Sequence, residues 1–319
     1  DLFHVLDQKL DERDPYMDED LAEFPYVNGG MFADEDIVIP RLSQEIVELI
    51  LHKASEDFDW SNISPTIFGA VFESTLNPET RRAGGMHYTS IENIHKVIDP
   101  LFLNDLNSEL EKILKIPVDR SRTLRLKNFQ KKLASMVFFD PACGSGNFLT
   151  ESYIALRRLE NRVIRCLKHG QTVMDDYMKR LVKVSIHQFY GVEVNDFAVT
   201  VAKTALWIAE SQMLNETASI VGEPLDFLPL KSYANIEEGN ALTLDWESVV
   251  PKEQLSYIMG NPPFVGGMMM TKEQHSDLEI AFPECKNIGE TDYVAGWYAK
   301  ACRFIRGTEI RCAFVSTNS

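Results

Sequence analysis

A short segment near the middle of the chain restricts the fold more than any other. The apolar residues 136–139 are followed by Asp140 and by the turn Gly144-Ser145-Gly146, which opens a long amphipathic helical pattern. This order predicts a strand, a tight turn and a helix, and glycines allow the backbone of such a turn to approach a ligand where a Cβ atom would clash. The segment therefore predicts a binding turn at the carboxyl end of a strand in a parallel sheet.

Strand and helix patterns alternate after this turn, which is typical of an α/β fold with a parallel sheet. Further strands are predicted at residues 189–194, 257–259 and 311–316, with a helix from Asp196 and another at residues 293–305. We expect one α/β domain over residues 81–319. Because the chain stops just after the last predicted strand, we expect this domain to be truncated at its C-terminus.

Residues 1–80 are expected to form an acidic, mainly helical N-terminal region. One helix is predicted to begin after Ser43, with Ile46 and Ile50 on its apolar stripe, and a second to begin at Pro65. The helix after this region is predicted to open with a capping box, Thr89-Ser90-Ile91-Glu92. Residues 1–80 are expected to carry no chemistry of their own.

The negative charge of the chain is concentrated at its N-terminus. The net charge is −16, and residues 1–60 carry 17 acidic and 4 basic residues, against 31 and 28 in the remainder. An acidic chain is poorly suited to simple nucleic-acid binding. Two basic stretches, residues 120–132 and 157–168, either face phosphates or form solvated helix faces, and both interpretations stay open.

Composition also indicates the cellular setting. The five cysteines include no Cys-x-x-Cys pair, no apolar run approaches the ~18 residues of a membrane span, and no signal peptide precedes the acidic start. We therefore expect a reduced, cytoplasmic protein without disulfides, without a metal site and without a membrane segment.

The glycine turn by itself is compatible with two kinds of ligand. A dinucleotide fingerprint requires a third small residue and an acid ~20 residues later. Here Leu149 occupies the third position, and the next strand-end acid, Glu193, comes 49 residues after Gly144. Asp140 would also repel a pyrophosphate and attract an ammonium group. The turn is therefore expected to bind a cofactor that contains an amino acid.

The predicted second strand ends at Glu193, close to Asp196. A carboxylate at such a strand end can accept hydrogen bonds from the hydroxyls of a ribose. Alternatively, this cluster only caps the next helix, with Asp196 as the cap. In combination with the glycine turn, the pattern favours ribose binding by Glu193.

The most specific element is Asn261-Pro262-Pro263-Phe264, directly after a predicted strand. Two consecutive prolines make a stiff, extended loop, which can direct the side-chain carbonyl of Asn261 and the backbone carbonyl of Pro262 at one amine. Phe264 offers a flat surface to a planar ring, and base–aromatic stacking is worth ~1–3 kcal/mol. An isolated motif of this kind can also be a simple rigid turn, but after the glycine turn it indicates a site for a substrate amine.

In this order the motifs resemble those of the gamma-class amino-methyltransferases that act on adenine in DNA. Within that class the chain is similar to the large MmeI-like restriction–modification enzymes, and residues 24–30, 85–89 and 205–210 support the similarity. The resemblance implies a Rossmann-like class I methyltransferase fold, S-adenosylmethionine as cofactor and a flipped adenine as target. It also implies double-stranded DNA as a partner, bound largely by regions outside these 319 residues.

The resemblance further implies roles for individual residues. Tyr88 and Thr89 would close over the methionine part of the cofactor, and Glu193 would hold its ribose hydroxyls. Asn240 stands where the family usually has an acid that holds the adenine amine of the cofactor. The residues expected to line the methionine and ribose are Asp140, Ala142, Gly144 and Gly146. The residues expected to carry the target base are Asn261, Pro262, Pro263 and Phe264.

The residues present predict direct transfer of a methyl group to an amine, without a covalent enzyme intermediate. Methylation of carbon 5 of cytosine requires a Pro-Cys nucleophile, and the chain contains no Pro-Cys dipeptide. Cys143 is interpreted as a packing residue, and Met268-Met269-Met270 either lie near the substrate or form a hydrophobic loop. Two alternatives stay open: the same chemistry on cytosine N4, RNA or a protein glutamine, and a cofactor-binding scaffold without activity.

Overall fold

The computed structural model describes residues 41–57, 63–75, 89–168, 181–222, 234–283 and 291–316, together with residues 5–6, 8–9, 12–22, 24, 26 and 288. Over these ranges the chain forms an α/β fold in which helices flank a parallel sheet, which confirms the predicted fold class. No helix within the described ranges has the length and apolar character required to cross a bilayer.

Five strands form one parallel sheet in the order β3-β2-β1-β4-β5. The strands are β1 (Phe138–Asp140), β2 (Phe189–Glu193), β3 (Asn235–Glu238), β4 (Tyr257–Gly260) and β5 (Arg311–Phe314). The chain moves outward from β1 to β3 on one side and then returns to place β4 on the other side. In open α/β sheets, ligands bind at the carboxyl ends of the strands where the strand order reverses.

Helices connect and cover these strands. In chain order they are α1 (Glu19–Ala22), α2 (Gln44–Glu48), α3 (Pro65–Thr75), α4 (Ile91–Ile98), α5 (Asn104–Leu114), α6 (Asp119–Ser135), α7 (Asn147–Lys168), α8 (Asp196–Val221), α9 (Trp246–Val249), α10 (Lys272–Ala281) and α11 (Ala295–Phe304). Two of them continue as π-helix, α2 over Leu49–Glu56 and α4 over Asp99–Leu103. The second π segment contains Pro100, which lacks the N–H that a regular helical turn requires.

The central strand β1 separates two hydrophobic clusters, one on each face of the sheet. Successive side chains of a strand point to opposite faces. Phe138 therefore stacks on Phe189 with ring centroids 5.0 Å apart, while Phe139 meets Trp246 edge to face at 5.2 Å on the other side. Burial on both faces explains why this strand is a continuous apolar run and not an alternating one.

Several features of the structure differ from the predictions. The hydrophobic pattern of the sequence did not indicate β3, because this edge strand reads Asn-Ile-Glu-Glu and buries only Ile236. The N-cap of α4 is Ser90, whose side chain accepts a hydrogen bond from the N–H of Asn93. The predicted capping box was therefore wrong by one residue. Helix α2 begins after Ser43 as predicted, but Ile46 and Ile50 of its apolar stripe are exposed.

The two basic stretches have different outcomes. The first lies on α6, where half-buried Arg122 pairs with Asp119 and exposed Lys132 pairs with Glu109; the remaining bases of this stretch are exposed, and both interpretations stay open for them. The second lies on α7 and is mixed at its start, because Arg157 is fully buried whereas Arg158 is exposed. Lys168, at the end of α7, donates to the backbone carbonyls of Ile220 and Val221.

A buried ion pair joins α7 to its neighbours. Arg157 pairs with Glu160, and both side chains are 0% exposed. Arg157 also donates to Thr217 on α8 (2.8 Å), while Glu160 accepts from Gln130 on α6 (2.8 Å) and from the backbone N–H of Lys183 (2.8 Å). The pair thus fixes the segment before β2 against two helices, and each charge has several partners, as buried charges require.

Glu160→Ala is expected to lower the free energy of unfolding by ~3–5 kcal/mol, because it leaves the Arg157 guanidinium buried without a counter-charge. Glu111→Ala serves as the control, since it removes the partner of Arg162, an exposed base on the same helix, and should cost at most ~1 kcal/mol. Urea denaturation of both variants measures the difference. Equal losses in the two variants would show that the buried pair has no special role.

Candidate active site at the carboxyl edge of the sheet

The structure brings the predicted site residues of four strands to one edge of the sheet. Asp140 and Glu193 are the last residues of β1 and β2, Asn240 follows β3, and Asn261 follows β4. Because all strands are parallel, these positions share the carboxyl edge of the sheet. The site is therefore built from segments up to 121 residues apart in the chain, and the space at this edge of the sheet is called the crevice below.

The glycine turn after β1 has a geometry that requires glycine. Gly144 and Gly146 have φ angles of 54° and 79°, in the left-handed region that other residues disfavour. A Cβ atom on Gly146 would also lie 2.9 Å from the Cβ atom of Ala202 on α8. The turn is tied to β2 by the N–H of Cys143, which donates to the carbonyl of Val192 at 3.1 Å. Helix α7 can therefore start close to the sheet, with the turn facing the crevice.

Glu193 connects the turn to the end of β2. Its Oε2 accepts from the N–H of Gly144 at 2.9 Å, and its Oε1 accepts from the N–H groups of Val194 (2.9 Å) and Asn195 (3.1 Å). The helix cap is Asn195, whose side chain accepts from the N–H of Ala198, and not Asp196. Glu193 is thus not a cap of α8, and it lies 7% exposed at the junction of two binding segments.

Asp140 is a buried carboxyl group at the centre of the site. It is 1% exposed, its Oδ1 accepts from the N–H of Ala142 at 3.0 Å, and its Oδ2 has no hydrogen-bond partner among the described residues. The pKa of Asp140 is raised to about 8, mainly by burial; the hydrogen bond from Ala142 opposes this rise and the charge of Glu193 adds to it. At neutral pH the group is therefore largely protonated until a cation approaches it.

One of the two polar atoms of the Asn261 side-chain amide has a hydrogen-bond partner among the described residues, and the other has none. Its Nδ2 donates to the hydroxyl of Thr89 at 3.0 Å, whereas its buried Oδ1 has no partner among the described residues. Thr89 lies directly before the cap of α4, so the contact joins residues 172 positions apart. The bond to Thr89 thus occupies the Nδ2 side of the amide and leaves Oδ1 as a buried acceptor. The sequence assigned Thr89 to the cofactor and gave no signal of this contact.

The rest of the Asn261-Pro262-Pro263-Phe264 loop is held at both ends. The carbonyl of Gly260 accepts from the N–H of Val315, and Val265 is bonded through its N–H to Asp292 and through its carbonyl to the N–H of Tyr293. Pro262 is buried, while Pro263 and Phe264 are half-buried. The loop therefore keeps part of the Phe264 ring accessible at the edge of the crevice.

The methionine run follows this loop in a 3-10 turn, Gly267–Met269. Met268 is 100% exposed and Met269 is 81% exposed, whereas Met270 packs against the apolar cluster of the sheet. Met268 and Met269 thus project into solvent next to the loop instead of forming part of a packed core.

Both polar atoms of the Asn240 side-chain amide form hydrogen bonds. Its Oδ1 accepts from the N–H of Leu242 at 2.9 Å, and its Nδ2 donates to Asp277 Oδ2 at 2.8 Å. The side-chain oxygen of Asn240, which was predicted to accept the adenine amine of the cofactor, thus already accepts a hydrogen bond within its own loop. Asp277 on α10 also accepts from the hydroxyl of Tyr293 at 2.7 Å. The sequence did not single out Asp277 or Tyr293, because neither lies at a strand end.

Three further predicted residues complete the description. Ala142 is half-buried in the glycine turn, and Tyr88 lies outside the described residues. Cys143 is buried against Gly191, where a Cβ atom would lie 2.9 Å from its sulfur, and burial raises the pKa of the Cys143 thiol. Cys143 is therefore a packing residue and not a nucleophile, as the sequence predicts.

The site also receives support from the N-terminal helices. Gly69 on α3 lies so close to the glycine turn that a Cβ atom there would be 2.7 Å from the hydroxyl oxygen of Ser145. Gln212 on α8 donates to the carbonyl of Ile63, just before α3, at 2.6 Å. Helix α3 thus packs on the outside of the turn and limits its movement.

Comparison with known proteins gives consistent matches. A sequence profile of the family described as "MmeI, DNA-methyltransferase domain" matches residues 116–319. DNA methyltransferase A of Bacillus subtilis (strain 168) is 39% identical over 322 residues, which cover 100% of this chain and 35% of that protein. A Methanocaldococcus jannaschii protein with the provisional name of type II restriction enzyme and methyltransferase is 27% identical over 81% of this chain and 24% of its own length.

A solved structure agrees with the sequence comparisons. The type IIL restriction–modification enzyme MmeI, in complex with DNA, matches with a TM-score of 0.91 and 41% identity over 100% of this chain and 41% of its own. The chain thus spans well under half the length of each of these relatives. Since the matching profile covers more than half of the chain, the chain belongs to the family of the MmeI DNA-methyltransferase domain.

Proposed function

We propose that this chain transfers a methyl group from S-adenosylmethionine to the exocyclic amine of a flipped adenine in DNA, as part of a restriction–modification enzyme. The observation that carries the proposal is the buried Oδ1 of Asn261, an acceptor without a partner among the described residues, next to the accessible ring of Phe264. A buried acceptor without a partner costs ~1–3 kcal/mol, so its presence indicates a ligand that supplies a donor.

The residues of the crevice fit the cofactor. The glycine turn allows close backbone approach, Asp140 Oδ2 is a buried acceptor suited to an ammonium group, and Glu193 is a strand-end carboxylate suited to ribose hydroxyls. We propose that Ala142, Gly144 and Gly146 line the methionine and ribose, with Tyr88 and Thr89 closing over them. When bound, S-adenosylmethionine supplies a methyl group on a sulfonium, which is already a strong electrophile.

The Asn261 loop is proposed to hold and orient the target amine. Asn261 Oδ1 and the Pro262 carbonyl accept its two N–H groups, and Pro263 keeps the loop extended. The nitrogen lone pair then points away from both acceptors and toward the cofactor side of the crevice. Phe264 stacks on the base, and Thr89 holds the Asn261 amide in the required orientation. The protein contributes alignment rather than a nucleophile.

Double-stranded DNA is proposed as the partner. MmeI, whose structure was solved in complex with DNA, shares the whole of the described fold with this chain. The acidic surface of the chain itself argues for regions outside residues 1–319 as the main source of affinity. We further propose residues 1–80 as a supporting region and residues 81–319 as the catalytic domain, with α3 of the former packed on the glycine turn.

Methylation of unmodified duplex DNA tests the proposal. The protein expressed from its whole reading frame is incubated with tritiated S-adenosylmethionine and DNA from a methylation-deficient host, and the product is digested to nucleosides. N6-methyladenine is the expected product. N4-methylcytosine would retain the mechanism but overturn the choice of base, and absence of labelled nucleoside would overturn the function.

Asn261→Ala is expected to lower the rate of methyl transfer at least about tenfold, equivalent to ~1.4 kcal/mol, while cofactor affinity stays nearly unchanged. The reason is that Oδ1 faces the target amine and not the cofactor. Phe264→Ala should cost less, and Phe264→Tyr little. Asn235→Ala, at the amino end of β3, is the control and should retain the wild-type rate. An Asn261→Ala variant with more than a tenth of that rate would contradict the orienting role.

Ligand binding at pH 7 is expected to release on the order of one proton, because Asp140 changes from its neutral to its charged form. The pKa of about 8 keeps Asp140 protonated in the ligand-free protein, and the ammonium group of the ligand lowers that pKa below 7. Calorimetry with S-adenosylhomocysteine in two buffers of different ionisation enthalpy measures the release.

Two controls accompany this titration. The proton release should fade by pH 9, where Asp140 is already ionised before binding, and it should disappear in Asp140→Asn. Equal observed enthalpies in both buffers at pH 7, in the unaltered protein, would show that Asp140 does not face the ammonium group.

A further inference from the structure

A half-buried carboxylate lies beside the crevice without an assigned role. Asp277 on α10 accepts two hydrogen bonds at Oδ2, from Asn240 Nδ2 at 2.8 Å and from the Tyr293 hydroxyl at 2.7 Å. Both donors are neutral, and no Lys or Arg of the described ranges forms an ion pair with Asp277. A carboxylate has acceptor positions on both oxygens, so this arrangement leaves Oδ1 to a further donor.

The two donors hold Asp277 in a fixed orientation. Asn240 is itself fixed, because its Oδ1 accepts from the N–H of Leu242. Tyr293 is buried and packs edge to face on Trp297, with ring centroids 5.1 Å apart. Burial and the bond to Asp277 raise the pKa of Tyr293, so its hydroxyl keeps its proton and donates. The orientation of Asp277 is therefore set by the protein before any ligand arrives.

A short run of hydrogen bonds connects Glu193 to Asp277 along the carboxyl edge of the sheet. The carbonyl of Glu193 accepts from the N–H of Gly239 at 2.8 Å, and Asn240, the next residue, reaches Asp277. A nucleoside whose ribose lies at Glu193 therefore extends its base along the carboxyl edge from β2 toward β3 and Asp277. The exposed side chain of Val194, next to Glu193, offers an apolar surface for the base on this path.

We propose that Asp277 accepts the exocyclic amine of the cofactor's adenine, and that Asn240 and Tyr293 are positioning residues for this contact. The inference rests on the proposed function, since it assumes an adenosine-containing cofactor in the crevice. The assignment differs from the expectation that Asn240 itself holds the amine, because the Asn240 oxygen is bonded within its own loop. A carboxylate in this place selects for a donor at carbon 6 of the purine, and a carbonyl there would be repelled.

Calorimetry with two ligands tests the contact: S-adenosylhomocysteine, and its analogue that carries hydrogen in place of the exocyclic amine. The unaltered protein should bind the first roughly tenfold or more tightly, the effect of one hydrogen bond to a charged group. Asp277→Asn should remove this preference. Since Asn240 and Tyr293 both donate to the Oδ2 position, they fix the new amide with its oxygen toward them and its NH₂ group toward the ligand amine.

Matched variants separate this role from a structural one. Glu279→Gln changes an exposed carboxylate on the same helix and should behave as the unaltered protein. Tyr293→Phe keeps the aromatic packing but removes one positioning donor, so it should weaken binding of S-adenosylhomocysteine by a few-fold and leave the amine-less analogue unaffected. If Asp277→Asn fails to fold, as judged by thermal denaturation, the ligand preferences of the unaltered protein and of Tyr293→Phe decide.

The outcomes distinguish this inference from the proposed function. Equal affinity of the unaltered protein for both ligands, or an undiminished preference in Asp277→Asn, would overturn the role of Asp277 while leaving the cofactor assignment intact. Absence of binding of either ligand to the folded, unaltered protein would overturn the cofactor assignment and the role of Asp277 with it.

Discussion

The close approach of Asp140 to Gly260 is the constraint on which the site depends. These residues end the neighbouring strands β1 and β4, and a Cβ atom on Gly260 would lie 2.3 Å from Asp140 Oδ1. Glycine at position 260 therefore allows a carboxyl group to remain at the centre of the sheet edge, with almost no access to water. The burial that results raises the pKa of Asp140 to about 8.

The same approach determines where the Asn261 loop starts. The loop follows Gly260 directly in the chain, so Asn261, the proposed acceptor of the substrate amine, begins next to the residue that approaches Asp140. A second attachment comes from Thr89, before α4, whose hydroxyl accepts from Asn261. Helix α4 in turn is joined to α7 by His95, which contacts Glu151 at 3.2 Å. Helix α4 precedes both the glycine turn and the Asn261 loop in the chain. It is connected to the loop through Thr89 and, through His95, to α7, the helix that follows the turn.

The site residues at strand ends could be predicted from the sequence. The residues that position a neighbouring side chain or lie beside the site could not. Asp140, Glu193 and Asn261 follow apolar runs that are buried on both faces, so their place at the sheet edge follows from the parallel pattern alone. Asp277 lies on an amphipathic helix and Tyr293 in a loop, where a polar residue is ordinary and carries no positional signal. The edge strand β3 was missed for a related reason, since it buries a single apolar side chain. Thr89 was expected to cap a helix because its spacing to Glu92 fits a capping box. In the structure Ser90 is the cap, and the Thr89 hydroxyl accepts from Asn261 in a tertiary contact.

In the proposed complex, the two kinds of acceptor at this edge serve different ligands. Asp140 faces the ammonium group of the cofactor and Asp277 faces the neutral amine of its adenine, and the cofactor stays bound through the reaction. Asn261 faces an amine that must keep its lone pair available and is neutral until it gains a methyl group. A neutral amide at position 261 provides a hydrogen bond to this amine without adding a charge beside it. Its orientation then depends on a neutral partner as well, and the hydroxyl of Thr89 supplies it at 3.0 Å.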